Sequence, residues 1–377
     1  MSKKLLAVLS AMLVLTFVLT SCGTKATATE APVVETQAPE VATTEAPVET
    51  EAAVETTEAP AIKVCMVTDS GGIGDKSFND LTWKGVQQGI DDFGVEGNYI
   101  QSTQPSDFAS NLTACKDSGA QLIICVGFMM TDDCKKAATE NPDIYYAGVD
   151  MGGFGLDNFR GVGAEMAQST YLAGYLSAGM TQTGKLGWYV GIMGPAVQIF
   201  GDGWYYGMQA YNEAHGTTVT NIGYDANDPG KATATGSWID ADKGRALGQS
   251  MMNEGVDIIL PVCGGVGAAT AAYMQEQGKG YVIGVDQDWT QTYPQYSGQI
   301  LASVTKLVNV HVYDAIERVV KGTWEGGDYT LTLENGGTDL TYNPAVEVPE
   351  ELKAEIAALK EKIISGEIVI PAPKPIE

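Results

Sequence analysis

Three aspartates stand where a strand would end. Asp69 follows the apolar run Val64–Thr68, Asp150 follows Tyr145–Val149, and Asp286 follows Tyr281–Val285. If the three runs belong to parallel sheets, all three carboxylates lie at carboxyl edges, where open α/β sheets hold ligands. A carboxylate there accepts hydrogen bonds from neighbouring sugar hydroxyls or from a purine N–H. Each aspartate taken alone reads first as a helix cap or turn former; three in succession suggest a cleft lined with acceptors. Phe78 and Asn79 open the helix that follows the glycine-rich turn after Asp69, at the mouth of the same site. Trp204 sits in the glycine-rich stretch Ile199–Gly207. Phe78 and Trp204 could stack on a flat ligand, at roughly 1–3 kcal/mol per base, or be core aromatics. Lys306, at a strand-to-helix junction, could be a solvated surface lysine or a donor to a ligand hydroxyl.

Gly264-Gly265-Val266-Gly267 follows an apolar run and opens a helix, as phosphate-cradling loops do. It is too short for a dinucleotide fingerprint and no Walker lysine follows. Gly265 therefore reads as a place where an uncharged ligand comes close to backbone. Catalytic patterns are missing: there is no GxSxG elbow, no HExxH, and neither His215 nor His311 has a nucleophile partner in sequence. A binding protein is expected rather than an enzyme, with no cofactor and no metal.

The elements that position these residues alternate strand and helix from Ile62 onward. Strands are expected at 62–68, 98–102, 121–126, 144–149, 185–190, 218–223, 257–262 and 281–285, with helices between them and a last helix from Glu350 stopped by Gly366. Ser77 is placed to cap the helix that begins at Phe78, with Asp80 completing a carboxylate capping box. Two runs of βα units predict an α/β protein of two Rossmann-like lobes with parallel sheets. Lobe 1 is expected over 62–164 plus 287–325 and lobe 2 over 165–286 plus 326–371, joined by a hinge of crossover segments.

Residues 1–22 read as an export signal: Lys3-Lys4, an apolar run shorter than a membrane span, then Leu19-Thr20-Ser21-Cys22, which matches a lipoprotein processing site with Cys22 as the lipidated residue. Residues 23–61 are a Thr/Glu/Ala/Pro tether in which Thr-Glu-Ala-Pro recurs at 29–32, 44–47 and 57–60. Without aromatics and with repelling glutamates it builds no core. The formal net charge is −25, and about −20 of it stays on 61–377. That argues against nucleic acid as a partner. Cys65 and Cys125, inside apolar runs, are expected as free buried thiols. Cys115 and Cys134 could pair in an oxidising compartment, though free thiols are the favoured state. The cysteine spacings make no zinc pattern.

The string Thr68-Asp69-Ser70-Gly71-Gly72-Ile73-Gly74-Asp75-Lys76-Ser77-Phe78-Asn79 closely resembles the opening motif of the basic membrane protein family, the purine-nucleoside receptor lipoproteins that feed bacterial ABC importers. Six more blocks match in order: Gly127–Asp132, Tyr171–Leu176, Gly264–Gly267, Ile283–Asp288, Ala302–Lys306 and Ile363–Pro371. The resemblance spans 62–371. It implies a type I periplasmic-binding-protein fold that closes on a nucleoside by hinge motion. By motif, Asp69, Phe78 and Asn79 would hold and stack the base. Asp150 would line the cleft. Asp286 and Lys306 would bind ribose hydroxyls, with Asp288 close by. Gly74, Trp204 and Val266 depart from the family pattern, and Trp204 leaves the base preference open. The implied partners are a small-molecule ligand, an ABC permease, and the membrane through a lipid on the extracytoplasmic side. A receptor for sugars or other hydroxylated solutes, a nucleoside hydrolase, and a surface adhesin are the alternatives.

Overall fold

The computed structural model describes residues 61–376, so the signal segment and all but the last residue of the tether lie outside the described residues. Two sheets of six strands organise the chain. The first is built from β1 (Lys63–Val67), β2 (Glu96–Ile100), β3 (Leu122–Val126), β4 (Tyr145–Val149) and β5 (Phe159–Ala164), with α1 (Phe78–Phe93), α2 (Phe108–Asp117) and α3 (Thr131–Glu140) between them. The second lobe starts with α4 (Met166–Met180) and β6 (Lys185–Val190), then α5 (Pro195–His215), β7 (Thr220–Ile222), α6 (Ala241–Asn253) and β8 (Ile258–Val262). It continues through α7 (Ala268–Gln277), β9 (Tyr281–Asp286), α8 (Trp289–Thr292) and β10 (Ile300–Lys306). The chain ends with α9 (Val308–Lys321), β11 (Gly327–Leu331), β12 (Thr338–Tyr342) and α10 (Glu350–Ile364).

Strand order is β11-β5-β4-β3-β1-β2 in one sheet and β12-β10-β9-β8-β6-β7 in the other. The two lobes are thus wound alike. Pairing is parallel throughout except where β12 runs antiparallel to β10 at an edge. The central strands β3 and β8 are buried at every residue, as sheets covered by helices on both faces require. This is the two-lobed α/β architecture expected, with one antiparallel edge added.

The lobe boundaries need correction. The first crossover falls as expected, between Ala164 at the end of β5 and Met166 at the start of α4. The second does not: β10 pairs with β9, so residues 287–306 complete the second sheet rather than starting a return to the first. The chain crosses back only at Leu307. There α9 packs on α1, where Gly85 lies against the Asn309 carbonyl and Val312, and Gly89 lies against Ile316. The third crossover comes after β11, which pairs with β5 in the first lobe, so 327–331 belongs there too. Sequence periodicity is blind to this, because it marks a strand but not the sheet the strand joins, and only pairing assigns β10 and β11. The crossovers lie side by side, tied by Glu165 N–H to Leu331 O (2.8 Å) and Leu307 N–H to Gly337 O (2.8 Å).

The cysteine expectations are also overturned. Cys65 on β1 is bridged to Cys115 on α2, and Cys125 on β3 to Cys134 on α3, with Cα separations of 5.6 and 6.6 Å. Cys115 and Cys134 do not pair with each other. Both strand thiols face the side of the first sheet that α2 and α3 cover, within one buried cluster, so each meets the helix cysteine above it. Cys263 stays free and buried. In the chain-entropy account, closing a loop of 50 residues stabilises by about 4 kcal/mol and one of nine by about 3. The double variant Cys65→Ala/Cys115→Ala is therefore expected to lower the melting temperature more than Cys125→Ala/Cys134→Ala. Thermal scans without reductant check the order, and a reversed order would contradict it.

Candidate functional site

The carboxyl ends of both sheets face one cleft, lined from both lobes. Asp69, Gly71, Asp75, Phe78, Asn79, Gly127, Phe128, Met129 and Asp150 come from the first lobe. Val197, Phe200, Trp238, Val262, Cys263, Gly264, Gly265, Val285, Asp286 and Lys306 come from the second. Seven of the nine expected ligand residues line it: Asp69, Phe78, Asn79, Asp150, Gly265, Asp286 and Lys306. Trp204 and Asp288 do not.

Asp150 and Asp286 occupy equivalent places, each at the end of the third strand of its sheet. Both have left-handed backbones, φ 62° and 67°. Such a conformation is strained for a residue with a Cβ and persists where the surroundings impose it, often at functional sites. It turns the chain at the strand end and presents the carboxylate to the cleft. Lys306, at the end of β10, pairs with Asp150 of the opposite lobe at 2.5 Å and is nearly fully buried. Its ammonium also lies 5.2 Å from the centre of the Phe78 ring and 5.7 Å from that of Phe200, within cation–π range. Asp286 accepts a hydrogen bond from the Ser77 hydroxyl across the cleft.

Burial drives the electrostatics. The Asp286 carboxyl is pushed up to about 6 by desolvation, against the opposing pull of Lys306 and the Ser77 hydrogen bond. Asp69 is also pushed up to about 6 by desolvation, although Asn79 and the Gly71 N–H both donate to it. Asn79 is fully committed: its Nδ2 donates to Asp69 Oδ1 (2.7 Å) and Asp75 Oδ2 (2.9 Å), and its Oδ1 accepts from the Asp69 N–H (3.2 Å). It fixes the carboxylate that faces the cleft. Burial likewise pushes the Cys263 thiol up, which leaves it protonated and inert.

The cap of α1 differs from expectation. Ser77 is the N-cap residue but makes no side-chain cap bond; its hydroxyl goes to Asp286. Asp75 does the capping, accepting from the backbone N–H of Ser77, Asn79 and Asp80 at 2.8, 2.9 and 3.2 Å. Asp80 reaches back to Gly74 and Lys76 N–H instead. Gly265 lines the cleft and also sits against the other lobe: any Cβ there would collide with the Asp75 carbonyl. The glycine lets the two lobes touch.

Trp204 is a core residue. It is fully buried and its Nε1 donates to Asn221 Oδ1 at 2.9 Å. The glycines around it serve helix packing rather than a site: Cβ atoms at Gly203 and Gly207 would strike the α4 backbone at Ala167 and Tyr171, so α4 and α5 meet backbone to backbone and Trp204 fills the seam. One turn earlier on α5, Phe200 supplies the ring that reaches the cleft. Asp288 caps α8, accepting from Thr290 N–H (2.9 Å) and Oγ1 (2.7 Å). The sequence reading also missed Phe128 and Trp238. Phe128 opens a 3-10 turn directly after β3, and that position was its signal; Trp238 lies in the long connection between β7 and α6, and nothing local marked it. Among the described residues no cluster of His, Cys, Asp or Glu is arranged to hold a metal.

A native carboxyl raised to about 6 stabilises the fold only while protonated: its contribution is whole below the unfolded value near 3.8 and is lost as pH rises through 6. Asp69→Asn removes that penalty while keeping an acceptor for Gly71 and Asn79. Asp69→Asn is expected to melt higher than the parent at pH 8, by at most about 3 kcal/mol, with the two curves converging at pH 4. A parent as stable as the variant at pH 8 would contradict this.

Comparison with known proteins agrees with the geometry. The family model for ABC transporter substrate-binding protein PnrA-like matches residues 62–374. An ABC transporter nucleoside-binding protein, BmpA, of Lactococcus lactis subsp. cremoris is 30% identical over 333 residues, covering 82% of this chain and 89% of that protein. An uncharacterised lipoprotein of Pyrococcus abyssi is 28% identical, over 84% of this chain and 86% of its own length. A crystal structure of an ABC transporter solute-binding protein from Aeropyrum pernix K1 superposes with a TM-score of 0.74 at 27% identity, covering 82% of this chain and 94% of that one. The chain belongs to the PnrA-like family of ABC transporter substrate-binding proteins.

Proposed function

We propose that this substrate-binding protein takes a purine nucleoside, is held on the extracytoplasmic face of the membrane by a lipid on Cys22, and hands its ligand to an ABC permease. One observation carries the ligand: the cleft joins flat aromatic walls, Phe78, Phe200 and Trp238, to a polar set of Asp69, Asp150, Asp286 and Lys306. A nucleoside has the matching halves. Its base offers π-faces to rings and N–H donors to Asp69, and its ribose hydroxyls offer donors to Asp286 and Asp150 and acceptors to Lys306. The name of the Lactococcus relative supports the ligand class, and that of the Pyrococcus relative supports the anchor.

Recognition would proceed by exchange. With the lobes together the free space in the cleft is about 60 Å³, room for a handful of waters. A nucleoside therefore enters with the lobes apart. Opening breaks Ser77–Asp286, Gln287 Nε2 to Ser77 O (3.2 Å), and Lys306–Asp150. Ribose hydroxyls then replace part of these contacts as the lobes close. Among the described residues no helix is long and apolar enough to cross a membrane; attachment would rest on the lipid and the tether beyond it.

Calorimetric titration of the unit Glu58–Glu377 against inosine, guanosine and adenosine, with ribose and free bases as controls, tests the ligand. One-to-one nucleoside binding without binding of ribose alone is expected. Phe78→Ala is expected to weaken it about ten- to hundredfold through lost stacking, and Asp286→Asn by a similar factor through a lost charged acceptor. A protein that binds a free sugar equally well, with Phe78→Ala unaffected, would be a sugar receptor.

A further inference from the structure

Trp238 is the one cleft residue with a stranded polar atom. Among the described residues, seven have buried side-chain nitrogen or oxygen atoms without a hydrogen-bond partner, and of these only Trp238 lines the cleft. A buried indole N–H left unpaired carries a penalty that a ligand acceptor would remove.

The ring is held firmly. Residues 233–236 run beside β6 and past its end, with Thr233 O accepting from Val190 N–H (3.0 Å), Thr235 N–H donating to Val190 O (2.8 Å) and Gly236 N–H to Gly191 O (2.8 Å). Gly191 stands where β6 ends, and a Cβ on it would collide with Cε3 and Cζ3 of the indole. Those atoms are on the side of the ring away from Nε1, so backbone supports one side and the N–H is on the other. Trp238 belongs to the second lobe but reaches the first: a Cβ on Gly71 would lie 3.6 Å from Trp238 Cβ and 3.0 Å from Asp69 Oδ1. Trp238 of the second lobe and Asp69 of the first therefore meet beside Gly71, and both line the cleft.

An acceptor beside a donor matches the edge of a 6-oxopurine, where N1–H stands next to C6=O. Adenine presents the reverse order, a bare N1 next to an amino group, which would set N1 against the carboxylate and the amino group against the indole N–H. We propose that Trp238 sets base preference: its N–H donates to O6 while Asp69 accepts from N1–H, so that inosine and guanosine are favoured over adenosine. The inference rests on the nucleoside reading above.

The test is titration of the parent and of Trp238→Phe, which keeps a flat ring but loses the donor and some stacking area, with inosine, guanosine and adenosine; the area is lost to all three ligands alike, so the donor is read from the difference between them. The parent is expected to bind the two 6-oxopurine nucleosides at least tenfold more tightly than adenosine. Trp238→Phe is expected to lose about tenfold for those two and less than twofold for adenosine. Equal parent affinities, or equal losses for all three ligands, would reduce Trp238 to a stacking surface and overturn the proposal while leaving the nucleoside reading intact. No nucleoside binding by the parent would take down both. Should Trp238→Phe fail to fold, the parent labelled at its six indole nitrogens gives the answer. One indole N–H resonance moving downfield with inosine but not with adenosine supports the hydrogen bond, and none moving overturns it.

Discussion

A buried lysine bridging two lobes is the constraint on which the cleft depends. Lys306 is 3% exposed and pairs with Asp150 from the other sheet, yet three further carboxylates, Asp69, Asp75 and Asp286, line the same space. One cation cannot balance four acids in a buried site. Burial raises the carboxyl pKa values at Asp69, Asp75 and Asp286, and at Asp69 and Asp286 the neighbouring acids add to it. Buried charge of this kind is weak evidence for stability. It makes sense as a polar lining kept ready for a ligand's donors, at some cost to the empty protein.

The scaffold supports that cost by duplication. Two sheets of the same strand order place an aspartate with a left-handed backbone at the end of the same strand in each lobe. One lobe adds an asparagine that clamps Asp69 and an aspartate that caps α1; the other adds a lysine, an indole and a glycine turn close enough to touch Asp75. Neither lobe alone holds a complete site. The three crossovers, bonded to one another, are where the lobes can turn. Under the proposed function, binding and lobe closure would be one event.

Much of this was legible in the chain. Strand ends announce themselves as apolar runs followed by Asp or Gly, and that rule found Asp69, Asp150, Asp286 and the Gly265 turn. It failed where one residue had two possible jobs. Ser77 and Asp75 are both cap formers, and the choice between them was made by Asp286, more than two hundred residues away. Phe200 and Trp204 lie one turn apart on α5, and which of them faces the cleft depended on how closely α4 approaches. Asp288 reads like the other strand-end acids but caps its own short helix.

By itself the sequence determined the α/β class, the family, the strand-end carboxylates and Lys306, because these follow from local periodicity and from motifs that survive as strings. Tertiary structure alone decided which lobe β10 and β11 join, which cysteines meet, and which aromatics look into the cleft. Strand pairing, disulfide partners and the facing of a helix are set by distant neighbours. A residue's own surroundings in the chain carry no record of what packs against it from the other side of the fold.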